Sequence, residues 1–461
     1  MNIQKINIKN LGWLICLLLP FIIYLIPITT NFTQDLKIFF MATLFVILII
    51  AFELLPLLVS ALLLPALYLI SGIVPIEIAF SSWTSQTVWI VVSGLILSNI
   101  LEECGLLKRI SYIVITKCGG TYIGTVFGCF FIGVILNIIT FCNGWLVASA
   151  LVYGICRAIN LKPSKEASLI CFAGTLGGTG ATIFLYYPAY YSMIEEAIQK
   201  FIPDYSIGIF TSLIYNGMGI LFYVITIFIF IKLYNVKNLD LSFEKDLFKN
   251  KLKELGEITS KERKAIYVVI LLLIYLGSTH FTKLPVLYGF ILIPFISFLP
   301  GIELCEAKVL KNLKFETVFF VATCLSIGIV GANVGFSKFM LDVTMPLFKG
   351  ESVLFVCIIF LIIGTIANFF MTPMAMLGGL SVSFVEIGLS LGISPVASTM
   401  MLLYSCEILF FPYQSAGNLM MYSYGMMPMK EFVKQEGLKS ILMIVGFAII
   451  IYPIWRFLGF M

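Results

Sequence analysis

Thr140-Phe141-Cys142-Asn143-Gly144-Trp145 interrupts a run of apolar residues that otherwise extends from Tyr122 to Ile159, and Phe370-Met371-Thr372-Pro373-Met374-Ala375 stands 230 positions later. Asn, Gly and Pro all weaken a helix. Neither interruption brings a loop long enough to reach water, so both predict helix breaks near the middle of a membrane, where protein or a cavity must satisfy the freed backbone.

Composition agrees. With 60% hydrophobic residues, 11% charged residues and a mean hydropathy of +1.06, the chain has too little polar surface to cover a water-soluble globule. Its apolar runs are continuous rather than alternating, which excludes a transmembrane barrel and predicts an all-α polytopic membrane protein. A bilayer core takes about 20 apolar residues per helix, so the chain has room for roughly ten to twelve crossings, some of half length. Lys5, Lys9, Arg157, Lys162, Lys165 and the basic residues from Lys237 to Lys264 mark the cytoplasmic side. The cysteines are scattered without the paired spacing of a metal or redox motif, and only Cys142 stands out, by its position.

Residues 11–28 read as a retained first transmembrane helix, because no small-x-small cleavage pattern follows at Ile28-Thr29-Thr30. Glu53-Leu54-Leu55-Pro56 marks a turn between two helices, with Glu53 as a surface carboxylate. The polar patch at residues 81–87 is expected to belong to a re-entrant hairpin that dips into the membrane and returns. Leu106-Leu107-Lys108-Arg109-Ile110 begins an interfacial amphipathic segment. Residues 122–140 read as a full span, and residues 146–159 as its continuation across the membrane. Four glycines fall among residues 174–180, each lowering helix propensity by about 1 kcal/mol relative to Ala. They predict a second break, the alternative being tight helix packing through small residues. Residues 207–233 form another span. Residues 236–264 hold eight Lys or Arg and six Asp or Glu and read as a cytoplasmic linker, and Thr259-Ser260-Lys261-Glu262 has the spacing of a capping box.

Shifted by 230 positions, the chain matches itself without a gap. Thr87-Val88-Trp89-Ile90-Val91 lies over Thr317-Val318-Phe319-Phe320-Val321, Gly105 over Gly335, Lys108 over Lys338, and Cys142-Asn143-Gly144 over Thr372-Pro373-Met374. A constant offset of this kind is the signature of an internal repeat, and an odd number of crossings per unit makes the two copies inverted. The expected units are residues 1–36, an N-terminal helix and first loop; 37–235, the first repeat; 236–264, the linker; and 265–461, the second repeat. Two inverted repeats with re-entrant hairpins and discontinuous helices are the architecture of secondary transporters. Unwound helix ends offer free amides to an anion and free carbonyls to a cation.

The chain resembles the divalent anion/sodium symporter (DASS) family, whose members carry dicarboxylates, citrate or sulfate. The pieces that carry the resemblance are Glu53-Leu54-Leu55-Pro56, the segment Cys104-Gly105-Leu106-Leu107-Lys108-Arg109, the linker end from Leu255-Gly256-Glu257 to Glu262, and the C-terminal run from Phe432-Val433-Lys434 to Leu458-Gly459, in that order along nearly the whole chain. The resemblance implies a homodimer with a scaffold and a moving transport domain, and an elevator-type cycle. It also implies a substrate carboxylate held by a Ser-Asn-Thr motif at each break, with Na⁺ beside it. Here the two motifs read Cys142-Asn143-Gly144 and Thr372-Pro373-Met374, and the family's downstream Pro-Pro-Asn becomes Tyr186-Tyr187-Pro188 and Ala416-Gly417-Asn418.

The candidate substrate-binding residues are therefore Asn143, Gly144, Thr179, Thr372, Pro373, Met374, Ser415 and Asn418, with Thr182, Gln414, Tyr186, Tyr187 and Tyr413 as further polar groups. The candidate ion-coupling residues are Cys142, Asn143, Gly178, Thr372 and Glu407. With no firm basic residue, such a site relies on helix-terminal amides, which suits a monovalent or partly neutral organic acid better than a compact dianion. Glu407 stands alone in an apolar segment, where a carboxylate costs about 2.5 to 3.5 kcal/mol on insertion scales. It is expected to take up H⁺ in place of a lost Na⁺, or else to be satisfied by hydroxyls such as Tyr404 or Ser405 without a coupling role. His280, the single histidine, reads as a surface residue. Its isolation, with no His-Glu-x-x-His motif, argues against an intramembrane enzyme, and no phosphate loop supports nucleotide-driven transport. The reading is a secondary transporter of a carboxylate-type anion, without a cofactor beyond Na⁺ or H⁺ as coupling ion. Its partners are the anion, membrane lipid and a second copy of the chain, with no nucleic acid, in a bacterial inner membrane. The alternative is a non-transporting receptor or scaffold with an eroded site.

Overall fold

The structure, a computed structural model, describes residues 8–52, 54–118, 120–234, 242–282, 284–311, 313, 315–348, 351–369 and 372–461. Among them, six helices are long and apolar enough to cross a membrane, seven if one bent pair counts as a span, and five apolar helices are shorter. The protein is a polytopic helical membrane protein. Phe21, Phe228, Ile274 and Leu292 are exposed, whereas Asn137, Asn216, Asn368 and Ser381 are buried. This inverts the arrangement of a soluble protein, because lipid solvates the outer surface and polar groups find partners only inside.

Helix α1 (Ile8–Leu25) packs on α2 (Gln34–Ala51), which Thr33 caps by accepting the Leu36 amide, and α3 (Leu57–Ile70) packs along α2. The expected turn at Glu53-Leu54-Leu55-Pro56 falls between α2 and α3, although Glu53 itself lies outside the described residues, as does the side chain of His280. A single turn, α4 (Ile76–Ala79), and a 3-10 turn (Ser81–Thr84) lead into α5 (Gln86–Glu103). The polar patch is thus no hairpin tip. It starts an 18-residue helix, with the Thr87 amide donating to Ser85 Oγ at 3.0 Å and both hydroxyls donating to Glu196, at 2.6 and 2.9 Å. Those polar residues are there to satisfy the free amides of a helix start.

Gly105, at φ +82°, takes the turn into α6 (Leu106–Cys118), bent 66° from α5. Helices α7 (Tyr122–Thr140) and α8 (Trp145–Ala158) then form a helical hairpin, so α8 turns back along α7 and does not continue its direction as the apolar run had implied. Tyr122, at the start of α7, donates to Glu166 O at 2.8 Å, and Cys156, near the end of α8, lies 4.0 Å from Cys171. Both outer ends of the hairpin therefore sit along the first half of α9 (Lys165–Gly178). Phe141 (φ 51°) and Cys142 (φ 66°) make the reversal, in a left-handed conformation that apolar patterning does not announce for non-glycine residues.

Beyond the break after Gly178 come a 3-10 turn (Gly180–Ile183), α10 (Pro188–Gln199), α11 (Thr211–Asn216) and α12 (Ile220–Tyr234). The linker contains α13 (Ser242–Glu254), packed on α6 where the Phe248 and Tyr112 rings lie 5.7 Å apart. At α14 (Ser260–Thr282) the expected capping box is present: the Glu262 amide donates to Thr259 Oγ1 at 3.1 Å, and the Thr259 amide to Glu262 Oε2 at 2.8 Å. The other carboxylate oxygen takes Arg109 Nε at 2.6 Å, and the same guanidinium donates to the carbonyls of Leu255, Gly256 and Glu257. One buried arginine thereby pins the linker end to α6.

The second half runs through α15 (Val286–Ile296), α16 (Lys308–Lys311), α17 (Phe315–Asn333), α18 (Phe336–Phe348), α19 (Val353–Asn368), α20 (Pro373–Ser390), α21 (Pro395–Ser405), a 3-10 turn (Pro412–Gln414), α22 (Ala416–Ser423), α23 (Met429–Gly446) and α24 (Tyr452–Phe457). Adding 230 to the bounds of α6 gives those of α18, and Gly335, 230 beyond Gly105, likewise has a positive φ of 85°. Helices α19 and α20 fold back on each other as α7 and α8 do. The Phe360 and Phe384 rings are 4.8 Å apart, while Asn368 and Met376 both reach Cys406, just past α21. The halves interlock, α3 against α17, α10 against α20 and α12 against α23.

Candidate functional site

At the first hairpin tip the reversed backbone is held from within. The Cys142 amide donates to Asn137 O at 2.7 Å, and Asn143 Nδ2 donates to the carbonyls of Thr140 and Phe141, both at 3.2 Å. Ser98 of α5 donates to Asn143 O at 3.3 Å. Gly94 permits the close approach, since a Cβ there would lie 2.8 Å from Asn143 Nδ2. Gly144 is the N-cap of α8. Cys142 is buried, with its sulfur 4.0 Å from Tyr186 O. At the second tip Thr372 caps α20, its hydroxyl accepting the Ala375 amide at 3.4 Å, and Pro373 occupies the first helical position, where its missing N–H costs nothing. Phe370 and Met371 lie outside the described residues.

Each tip is tied to the neighbouring half-helix by an asparagine that sequence reading missed. Asn137 Nδ2 donates to Gly177 O at 3.1 Å and to Gly178 O; Asn368 Nδ2 donates to Cys406 O at 3.1 Å. Both side chains are buried, and the Oδ1 of each has no donor. They stand 231 positions apart, one off the repeat. A lone asparagine in an apolar run close before a break is the signal that marks them.

The glycine-rich stretch serves both of its expected purposes. Helix α9 ends at Gly178, and Gly177 packs so closely on α7 that a Cβ would lie 2.0 Å from Phe130 O. Just beyond, Thr179 has a buried hydroxyl without a partner. It abuts Gly417 of α22, where a Cβ would lie 2.1 Å from Thr179 Oγ1, so the first break touches the segment after the second. Thr182 donates to Thr179 O at 2.7 Å. In the second half Gln414 Oε1 accepts the amides of Phe410 and Phe411, at 2.7 and 2.8 Å, while its Nε2 donates to Asn368 O at 3.2 Å.

One cavity of about 720 Å³ receives both tips. Asn143 and Trp145 reach it from the first, Thr372 and Met374 from the second, and Tyr187, Gln414 and Ala416 from the segments after the breaks. The N-terminal ends of α8, α10, α20 and α22 thus converge on it. Of the expected substrate residues, Asn143, Thr372 and Met374 line the cavity. Gly144 and Pro373 adjoin lining residues in the chain, Thr179 lies against α22 next to the lining Ala416, and Ser415 stands at the N-cap position of α22 without a side-chain cap bond. Asn418 turns away, donating to Glu436 Oε1 at 3.5 Å. Cys142, Gly178 and Glu407 do not line the cavity.

Glu407 has a partner that sequence reading did not supply. Its Oε2 accepts from Tyr223 at 2.8 Å and from Lys439 Nζ at 3.2 Å, and Lys439 lies 2.6 Å from Glu436 Oε2. All three charged side chains are buried. The hydroxyls expected beside it point elsewhere, Tyr404 to Met443 O and Ser405 to Leu402 O. A carboxylate on the loop after α21 is thereby joined to α12 and α23 through a buried acid–lysine–acid cluster.

A family profile described as the sodium:sulfate symporter transmembrane region matches residues 7–461. Among solved structures, the fold is similar to that of MtrF from Neisseria gonorrhoeae, described with a class of antimetabolite efflux pumps, at 16% identity over 79% of this chain and 81% of that one, with a TM-score of 0.53. It is also similar to the YdaH transporter of Alcanivorax borkumensis, at 14% identity over 98% of each chain and a TM-score of 0.52. At these identities the likeness concerns the fold. No curated protein sequence matches the chain.

Proposed function

As a member of the sodium:sulfate symporter family, the chain is a secondary transporter of anions, and we propose that it carries a carboxylate-type anion by elevator-type alternating access coupled to H⁺ or Na⁺. The observation that carries this reading is a cavity lined by residues of both hairpin tips. An anion there meets four helix N-termini, each equivalent to roughly half a positive charge. Asn137, Asn368 and Gln414 tie the tips to the neighbouring half-helices, so hairpins and half-helices move as one body in this cycle. The proposal extends to a homodimer in a bacterial inner membrane, as the resemblance to the family implies.

For the coupling ion, the cluster of Glu407, Lys439 and Glu436 supports H⁺. Two carboxylates share one ammonium, so the fully ionised cluster carries a net negative charge away from water, which a bound proton neutralises. The donor-free Oδ1 of Asn137 favours Na⁺, which takes oxygen ligands at unwound helix ends. Uptake of labelled carboxylates and sulfate by proteoliposomes, under separately imposed Na⁺ and H⁺ gradients, tests both. With H⁺ coupling, Glu407→Gln abolishes gradient-driven uptake. Uptake driven by Na⁺ and indifferent to that substitution overturns the proton reading, and ligand binding without any flux replaces the transporter with a receptor.

A further inference from the structure

Deepening the transport reading on which it rests, we infer that the cavity takes an amphipathic monocarboxylate with a bulky aromatic or branched apolar body and a hydrogen-bond donor, not a compact dianion. The first ground is charge. Among the described residues, the lining includes no Lys, Arg or His, and its one charged residue is Glu316, exposed at the start of α17. Helix N-termini can hold one carboxylate, but a second would meet no basic side chain among the described lining residues and a like charge at Glu316.

Size and surface are the second ground. At about 720 Å³ the cavity lies in the range that holds drug-sized organic ligands, so sulfate or a four-carbon diacid would leave most of it to water. Besides the tips, the wall is made by the end of α2, the α2–α3 turn, the start of α3 and α17, with Ile47, Leu54, Leu57 and Phe320 among its lining residues. An apolar wall in a site that held only a small, fully hydrated anion would gain nothing from burial.

The third ground is Asn368, which lines the cavity, is 1% exposed and keeps a buried Oδ1 that has no donor within the protein. Its Nδ2 is committed to Cys406 O, so the free oxygen calls for an N–H or O–H from the ligand.

The test compares probes on the purified full-length chain and on the same chain in proteoliposomes. N-acetylphenylalanine has one carboxylate, an N–H and an aromatic body; N-acetylglutamate keeps the N–H but adds a second carboxylate; succinate and sulfate are the compact dianions. Calorimetric titration is expected to show N-acetylphenylalanine binding at least tenfold more tightly than the other three. Phe320→Ala is expected to weaken it about tenfold, and should that variant not fold, the wild-type ranking alone decides. Equal or tighter binding of N-acetylglutamate, succinate or sulfate overturns the inference. Preferred binding of N-acetylphenylalanine with no labelled uptake, under any gradient or in exchange, sustains the ligand class and overturns the transport reading. Uptake of succinate with no binding of N-acetylphenylalanine does the reverse.

Discussion

The buried side chains divide into those that reach the cavity and those that hold its frame. Lys439 is the clearest of the second kind. Lys439→Met leaves Glu407 and Glu436 without their cation, and breaking a buried pair in this way costs about 3 to 5 kcal/mol. The loss is expected as a lowered melting temperature in detergent, and a triple variant that adds Glu407→Gln and Glu436→Gln should recover most of it, since no buried charge is then left over. Asn143, Thr372 and Met374 were legible in the sequence because each sits in an interruption of an apolar run at the repeat spacing. Asn137 and Asn368 were not, because one asparagine inside a run does not break it and their spacing slips by one. Lys439 was hidden for another reason. It belongs to Met429–Gly446, whose first turns are rich in charge and look like an exposed helix start, and nothing local says that its Nζ turns inward to an acid 32 residues earlier.

Among the elements, the hairpins depend on close backbone contact. Gly177 and Gly133 let α9 and α7 approach until a Cβ at Gly133 would lie 2.3 Å from Gly178 N. A backbone neighbour cannot swing aside as a side-chain end can. Gly177→Ala is therefore expected to push α7 off α9, break the Asn137 tie and abolish uptake. Gly154→Ala, where nothing lies within 4 Å, should fold and transport normally; comparison of folded yield and uptake for the two variants checks this. Sequence patterning located the breaks but not their direction. An Asn-Gly interruption reads the same whether the chain continues or turns back, and the reversal rests on left-handed Phe141 and Cys142, residues with no intrinsic preference for that conformation. The polar patch before α5 was misread for a related reason: helix caps and hairpin tips draw on the same residue types.

At the scale of the whole molecule, the recurrence of helix bounds 230 residues apart follows from the self-match of the sequence, whereas the interlocking of the halves does not. Arg109 shows how strongly they are joined, reaching from α6 across to four residues at the linker end. Arg109→Ala leaves the buried Glu262 and several carbonyls unpaired, a loss of about 3 to 5 kcal/mol. Limited proteolysis is expected to cut near residues 255–262 in that variant long before it cuts the wild type. The buried cluster at Glu407 has a consequence for how the protein is made. Its lysine lies 32 residues downstream of the acid it neutralises, and at a synthesis rate of roughly 5 to 20 residues per second the nascent chain carries that acid for seconds before its counterion leaves the ribosome. Completion of α23 is thus a condition for settling a charge already delivered to the bilayer, and a chain stalled between the two holds that acid with the Tyr223 hydroxyl but without its cation.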